Sequence, residues 1–296
     1  MAAALAIALW SCNSVDIITS GEGIDEPQEE WKRVEVEVLD YAPAPGQFVN
    51  ILPEYTPGDS YDDITRKAAA SLNVGREISL GAWGGSATLR LKTPVENIAG
   101  PDLRVCGNAI LSGTDAAGQP YGSGEPGIVE VMRDENGNGL PDDTWYVLRG
   151  ELYDEAVELT VIYSAEAGTD DITWTSADGL TGGTIPHIAS FHKQPYFPQW
   201  LDGNCITVTG KRLPDNGVFN AATGKFDLYC LRGYADSFPD TDELSALDLD
   251  NAIDGEGRTV KLRSIDFVRV TTGVLQVNGP LGECSTEISG IEVPVF

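Results

Sequence analysis

Oxygen-bearing side chains recur at alternate positions in Asp134-Glu135-Asn136-Gly137-Asn138-Gly139-Leu140-Pro141-Asp142-Asp143. Asp134, Asn136 and Asn138 alternate, Asp142 and Asp143 close the stretch, and Gly137 and Gly139 permit sharp turns between them. A hard cation of calcium's size needs such a pattern: a wrapped loop, inward side-chain oxygens, and a backbone carbonyl, here near Leu140, in a further position. The expected ligand set is therefore Asp134, Asn136, Asn138, Leu140, Asp142 and Asp143 around a structural Ca2+. The loop departs from an EF-hand, because Trp145 stands where the bidentate Glu would be. A solvated Asx/Gly hairpin turn is the competing reading, since the same residues favour turns.

A second concentration of chemistry lies between Thr184 and Trp200. It holds both histidines, His187 and His192, together with Phe191, Lys193, Gln194, Tyr196, Phe197 and Trp200, and prolines that exclude a regular central strand. Rings on a rigid loop can stack on a sugar or a planar ligand while Gln, Lys and His supply hydrogen bonds. His192, Gln194, Tyr196, Phe197 and Trp200 are thus the candidate ligand-binding set. The alternative is a loop whose aromatics serve as core. Asp236, Asp240, Asp242, Glu243, Asp248, Asp250, Asp254 and Glu256 form a further acidic run without Gly-punctuated alternation, which reads as a solvated face rather than a second calcium site.

Nucleophilic catalysis finds little footing. Gly58-Asp59-Ser60 opens like a serine esterase motif, yet no Gly-x-Ser-x-Gly elbow follows and no Asp-x-x-His exists downstream. Gly81 to Gly85 lacks the Lys-Ser/Thr and the helix of a phosphate loop. Paired carboxylates for glycoside hydrolysis remain open among 46 acidic residues. A binding module is the favoured reading, a glycan-active hydrolase the weaker one, and a purely structural subunit docking on a transporter the third.

The elements that must hold these residues follow from composition and periodicity. With 33 Gly and 17 Pro in 296 residues, and few helical patterns, the chain reads as turn-rich β protein. Val34, Val36 and Val38 alternate with Glu35 and Glu37 in a half-buried strand, and strand-like runs recur from Ile78 to Val293. They are Ile78–Ala82, Ala87–Leu91, Leu103–Leu111, Gly127–Met132, Thr144–Leu148, Val157–Tyr163, Ile172–Thr175, Ile206–Thr209, Phe226–Leu231, Ile265–Thr271 and Ser285–Val293. Asp59 or Ser60 caps one short helix, on which Ile64, Ala68 and Leu72 share a face before Gly75. This spacing predicts an all-β antiparallel sandwich or jelly roll with one helix near the N-terminus. No fixed-period repeat is present, which disfavours a propeller. Trp83, in the corner Trp83-Gly84-Gly85, and Trp145 are expected to pack. Cys106, Cys205 and Cys230 read as small buried strand residues, and none of the Cys spacings, Cys284 included, suggests a disulfide framework or zinc site.

The balance of 19 basic and 46 acidic residues gives a net charge of −27, which repels phosphate backbones and anionic headgroups. Nucleic acid is an unsuitable partner; calcium and neutral or cationic ligands suit the surface. Ala2 to Trp10 is apolar but too short to span a bilayer, and it ends Leu9-Trp10-Ser11-Cys12, resembling a bacterial lipobox with Cys12 as the lipidated residue. The expected organisation is a signal and lipobox segment over 1–12, a polar tether over 13–32 and one large β domain over 33–296, with membrane contact only through the lipid.

Separated segments resemble a family of exported "cell surface protein" lipoproteins of gut Bacteroidetes. They are Tyr41-Ala42-Pro43-Ala44-Pro45-Gly46-Gln47-Phe48-Val49-Asn50, Ile78-Ser79-Leu80-Gly81-Ala82-Trp83-Gly84-Gly85 and Glu125-Pro126-Gly127-Ile128-Val129 with the acidic loop. Ser190 to Trp200 and Ile265 to Val274 complete the resemblance, which extends over nearly all of Glu35 to Ile291. It implies a secreted β-sandwich anchored on the outer membrane, facing outward, and accompanying an uptake system of which an outer-membrane transporter is part. Members accompany uptake systems that include those for vitamin B12, an association that assigns no ligand but leaves a corrinoid, with His192 as an axial ligand, beside the glycan read from the aromatic loop.

Overall fold

The computed structural model describes residues 30–295, so the lipobox with Cys12 and residues 13–29 of the expected tether lie outside the described residues. Glu30, Trp31 and Lys32, expected to end the tether, instead belong to the strand Glu30–Val34, which pairs antiparallel with Gly290–Val295. The largest sheet has six strands, in the order Ala252–Ile253, Trp145–Leu148, Gly127–Met132, Ser264–Thr272, Ser86–Glu96 and Val36–Ala42. Three four-stranded sheets accompany it. One is Glu30–Val34, Gly290–Val295, Leu103–Cys106 and Ala246–Leu247; the second is Gly182–Ile185, Ile172–Ser176, Val157–Ala165 and Cys205–Arg212. The third is Gly217–Asn220, Lys225–Tyr229, Pro120–Gly122 and Leu111–Thr114.

These four sheets form a four-blade β-propeller arrangement, which corrects the expected sandwich or jelly roll. Short strands between Gly/Asn/Asp turns are common to sandwiches and propellers, so strand spacing could not separate them. The absence of a sequence repeat misled for a topological reason. The first four-stranded sheet draws on both ends of the described chain and on two distant segments, so no contiguous stretch encodes one blade.

The only α-helix among the described residues, Tyr61–Leu72, starts where its cap chemistry dictates. Ser60 accepts from the amide of Asp63, and the Asp63 carboxylate accepts from the amide of Ser60, a reciprocal capping box. Ile64, Ala68 and Leu72, four apart, bury one face against the inner side of the six-stranded sheet. Asn73 then ties the helix end to the sheet, accepting from the amide of Val36 at 2.9 Å and donating to its carbonyl at 2.8 Å. Each fully buried Ile or Leu here contributes on the order of 1.5–3 kcal/mol.

Alternation sorts the six-stranded sheet into an apolar and a polar face. Ala87, Leu89, Val129, Val131, Val268 and Val270 enter the main core. A second core beneath Val157–Ala165 and Ile172–Ser176 gathers Trp83, Val161, Tyr163, Ile172 and Tyr196. Trp83 is buried there as expected of a corner residue, and its Nε1 donates to the carbonyl of Lys211 at 3.1 Å.

Candidate functional site

The polar face of the six-stranded sheet is the floor of a groove of about 750 Å3. One cross-strand row, Asp40–Thr88–Arg269–Glu130–Val147–Ile253, crosses all six strands, and every member lines the groove. Ser86, Thr271 and Ile128 form the next row. The opposite wall comes from strands Val157–Ala165 and Cys205–Arg212, through Glu158, Thr209 and Lys211, and from the turn carrying Tyr153 and Asp154. Gly84, at φ +83, sits at the junction of the walls; a Cβ there would lie 2.8 Å from Val208, so the corner needs glycine.

Within the groove, Arg269 is held on two sides. Its guanidinium lies 4.0 Å over the Trp145 ring, and Nη1 donates to Glu130 at 3.3 Å. Lys211 pairs with Glu158 at 3.1 Å. Asp154 and Asp254 are held by Arg149 and Arg258, and Asp40 accepts from the Tyr61 hydroxyl. Trp145 is therefore only half-buried and belongs to a recess wall, which corrects its assignment to core packing. Fixed hydroxyls, carboxylates and an aromatic plane can hold a hydroxyl-rich ligand through many directional bonds, each modest. The sequence did not mark these residues, because most of the strands that the fold makes neighbours are far apart in the chain.

The acidic loop joins strands Gly127–Met132 and Trp145–Leu148 at one end of the same sheet. Asp134 accepts from the amides of Asn138 and Gly139 at 3.1 and 2.8 Å. Asp143 accepts from Glu135 at 2.9 Å, Asn136 from the Asn138 amide at 2.9 Å, and Asn138 from the Leu140 amide at 2.7 Å. The Asn136 and Asn138 amide groups donate to Asp142. Gly137 and Gly139 take the left-handed φ their positions demand, and Arg90 clamps the loop by donating to the Gly139 carbonyl at 3.1 Å. The predicted ligand residues thus share one loop, with their oxygens turned to N–H groups in an Asx-turn network. Calcium would have to displace some of these donors, though the oxygen-only chemistry suits it.

The loop from Thr184 to Trp200 is packed rather than splayed. Tyr196 is buried, with its hydroxyl accepting from the Ile188 amide at 3.1 Å and its ring edge-on to His187. Phe197 packs half-buried on the second core, and Trp200 lies against Tyr41 and Tyr55. His192 meets Phe48 edge-on at 4.8 Å, and burial lowers its pKa. Gln194 donates to the Gln47 carbonyl. Asn50, at φ +76, clamps the loop by donating to the carbonyls of Pro195 and Phe197 at 2.8 and 3.0 Å and accepting from Gln199 at 2.9 Å. Asn50 ends one of the segments that carry the resemblance but was not expected to clamp a loop, although Asn takes a left-handed φ more readily than most residues.

A third cluster contradicts an expectation. Asp236, read from sequence as part of a solvated acidic face, is 2 % exposed, and its carboxylate meets those of Glu125 and Glu287 with ligand oxygens within 4.8 Å of one another. Asp236 adopts a left-handed φ of 51°, which aims its carboxylate at the amides of Asn108, Ala109 and Glu287, at 2.9, 3.0 and 2.8 Å. Glu125 accepts from Ser285 at 2.9 Å, and Glu287 from the hydroxyls of Ser79 and Ser285 at 2.9 and 2.7 Å. Three carboxylates at this spacing could hold a metal ion, with nothing in the set that singles out calcium. The four described cysteines are unpaired; Cys106, Cys230 and Cys284 are buried, whereas Cys205 is exposed, against expectation. The sequence matches no family model, and no curated protein is similar enough to count as a relative.

Proposed function

We propose that this chain is an exported surface lipoprotein that captures a hydroxyl-rich ligand, a glycan in the first instance, for an outer-membrane uptake system. The observation that carries the reading is the groove floored by one row across six strands, polar at Asp40, Thr88, Arg269 and Glu130, with the Trp145 ring beneath Arg269. A net charge of −27 favours neutral or cationic ligands over anionic ones. The anchor is Cys12 and the location is the outward face of the outer membrane, as the lipobox and the resemblance to Bacteroidetes surface lipoproteins imply. A structural Ca2+ in the loop Asp134 to Asp143, at the end of the strands that floor the groove, would stiffen the groove's margin.

Calorimetric titration against neutral oligosaccharides, amino-sugar oligosaccharides and corrinoids tests this. Binding of a saccharide that Trp145→Ala and Thr88→Ala both weaken supports the proposal; binding of a corrinoid that His192→Ala removes would move the site to the Thr184 to Trp200 loop. Five carboxylates line the groove, so the same panel is assayed for new reducing ends. Reducing ends that vanish in Glu130→Gln or Glu158→Gln would make the protein a hydrolase with paired carboxylates instead.

A further inference from the structure

Charge is unevenly distributed along the groove. Five carboxylates line it against two bases, and both bases already hold a carboxylate. Arg269 donates to Glu130 at 3.3 Å while lying on the Trp145 ring, and Lys211 sits 3.1 Å from Glu158, its cross-strand partner. Neither base of the groove is therefore free. A carboxylate or sulfate arriving on a ligand would have to break an existing pair to gain one, and would leave a lining carboxylate stranded.

The remaining acid lies at the two ends of the floor and on the wall. Asp40 opens the cross-strand row, and Ile253 closes it beside Asp254. Five inter-strand steps of about 4.8 Å set these ends roughly 24 Å apart. Asp40 has no ion-pair partner among the described residues, and its carboxylate accepts from the neutral Tyr61 hydroxyl. Asp154 and Asp254 pair with Arg149 and Arg258, yet neither arginine lines the groove. Bonds from the Arg258 amide and guanidinium and from the Glu256 amide push the Asp254 pKa down, so it stays ionised. Between the two ends, the hydroxyls of Ser86, Thr88 and Thr271 suit a sugar. Positive charges spaced along an extended, hydroxyl-rich chain match this layout.

We propose that the groove selects a cationic glycan, an oligosaccharide whose sugars carry free amines, and that Asp40 and Asp254 set the preference. This rests on the groove being the ligand site. A neutral glycan keeps the hydroxyl contacts and loses the attraction at the ends, and an anionic one is repelled. The preference is local to the groove, whereas the net charge of −27 acts on every cationic ligand alike.

Calorimetric titration with a glucosamine oligosaccharide and its fully N-acetylated counterpart of equal length tests this at about pH 5.5, between the ordinary carboxylate and amine pKa values. The free amines should tighten binding about tenfold at low salt, and about 0.5 M salt should remove most of that ratio. Asp40→Asn and Asp254→Asn should each cut the ratio to about threefold or less. Asp202→Asn, an equal change of charge at an exposed position outside the groove, should leave it intact. Asp254 also holds its own turn, so if Asp254→Asn does not fold, Asp40→Asn decides alone. Equal affinity for the two forms overturns the cationic preference and leaves the groove standing as a glycan site. Binding of neither form removes both. A ratio that persists in Asp40→Asn, or that falls as far in Asp202→Asn, traces the preference to the whole surface and overturns the assignment, as does tighter binding of a uronic-acid oligosaccharide.

Discussion

Replacing Glu283 by Gln should make the protein less sensitive to alkali. Glu283 is 3 % exposed; its Oε1 accepts from the Gln47 amide at 2.5 Å, but Oε2 is buried and has no partner. Burial accordingly pushes its pKa from 4.5 to about 7, partly offset by the Gln47 bond. In the unfolded chain the group ionises near 4.5, so above that pH the unfolded state gains more from losing the proton. Linkage between 4.5 and about 7 makes ionisation cost about 3 kcal/mol of stability well above pH 7, of which about 2.5 kcal/mol falls between pH 5 and pH 8. Glu283→Gln keeps the shape and an acceptor for Gln47 but removes the charge. Urea midpoints of both proteins at pH 5 and pH 8 read this share together with the relief that a neutral side chain gives Glu125 and Glu287, which the Glu283 charge pushes up. The variant should gain about 2.5 kcal/mol on the wild type in going from pH 5 to pH 8. Parallel pH profiles would falsify the argument that this carboxyl is desolvated in the fold.

Three further outcomes follow from particular contacts. Chelation should lower the melting temperature, and Asp134→Ala should abolish that sensitivity; equal melting with and without chelator counts against calcium in the loop. Tyr41→Phe should cost about 1–2 kcal/mol by urea denaturation, because its buried hydroxyl lies 2.7 Å from the Ser79 carbonyl and 3.1 Å from that of Leu52. No loss would mean that water replaces the hydroxyl. Asn50→Ala should cost more, about 2–4 kcal/mol, since it removes three loop bonds and leaves a side chain poorly suited to φ +76. Asn50→Gly should recover the backbone part alone, and a Gly variant no better than Ala would show that strain is unimportant there.

Local signals were legible in the sequence and long-range ones were not. Ser60, one of the two expected caps, starts the helix, and Gly127–Met132 is a strand with the bounds read from its apolar run. Both facts depend on neighbours within a few residues. The row Asp40–Thr88–Arg269–Glu130 depends on pairing between strands far apart in sequence, and nothing in any one strand says which partner it will take. The propeller arrangement escaped for the same reason, as its sheets are not contiguous repeats. Asp236 shows the limit of charge counting: the acidic run it opens is partly exposed from Asp240 on, yet a left-handed backbone turns Asp236 inward onto amides supplied by Asn108, Ala109 and Glu287. The aromatics of the Thr184 to Trp200 loop carry an ambiguity of another kind. Phe, Tyr and Trp fill cores as readily as they face ligands, and only burial separates the two.

The row Asp40–Thr88–Arg269–Glu130 is proposed as the floor on which a ligand binds. Trp145 lies in its wall beneath Arg269, so its indole fluorescence should report what enters. A fluorescence and calorimetric titration of the wild type, Trp145→Ala and Thr88→Ala against neutral and amino-sugar oligosaccharides tests it most directly. Saturable binding by the wild type that weakens about tenfold or more in each variant, with melting temperatures held, is the predicted result. Saturable binding left unchanged by both substitutions, or no binding across the whole panel, would contradict it.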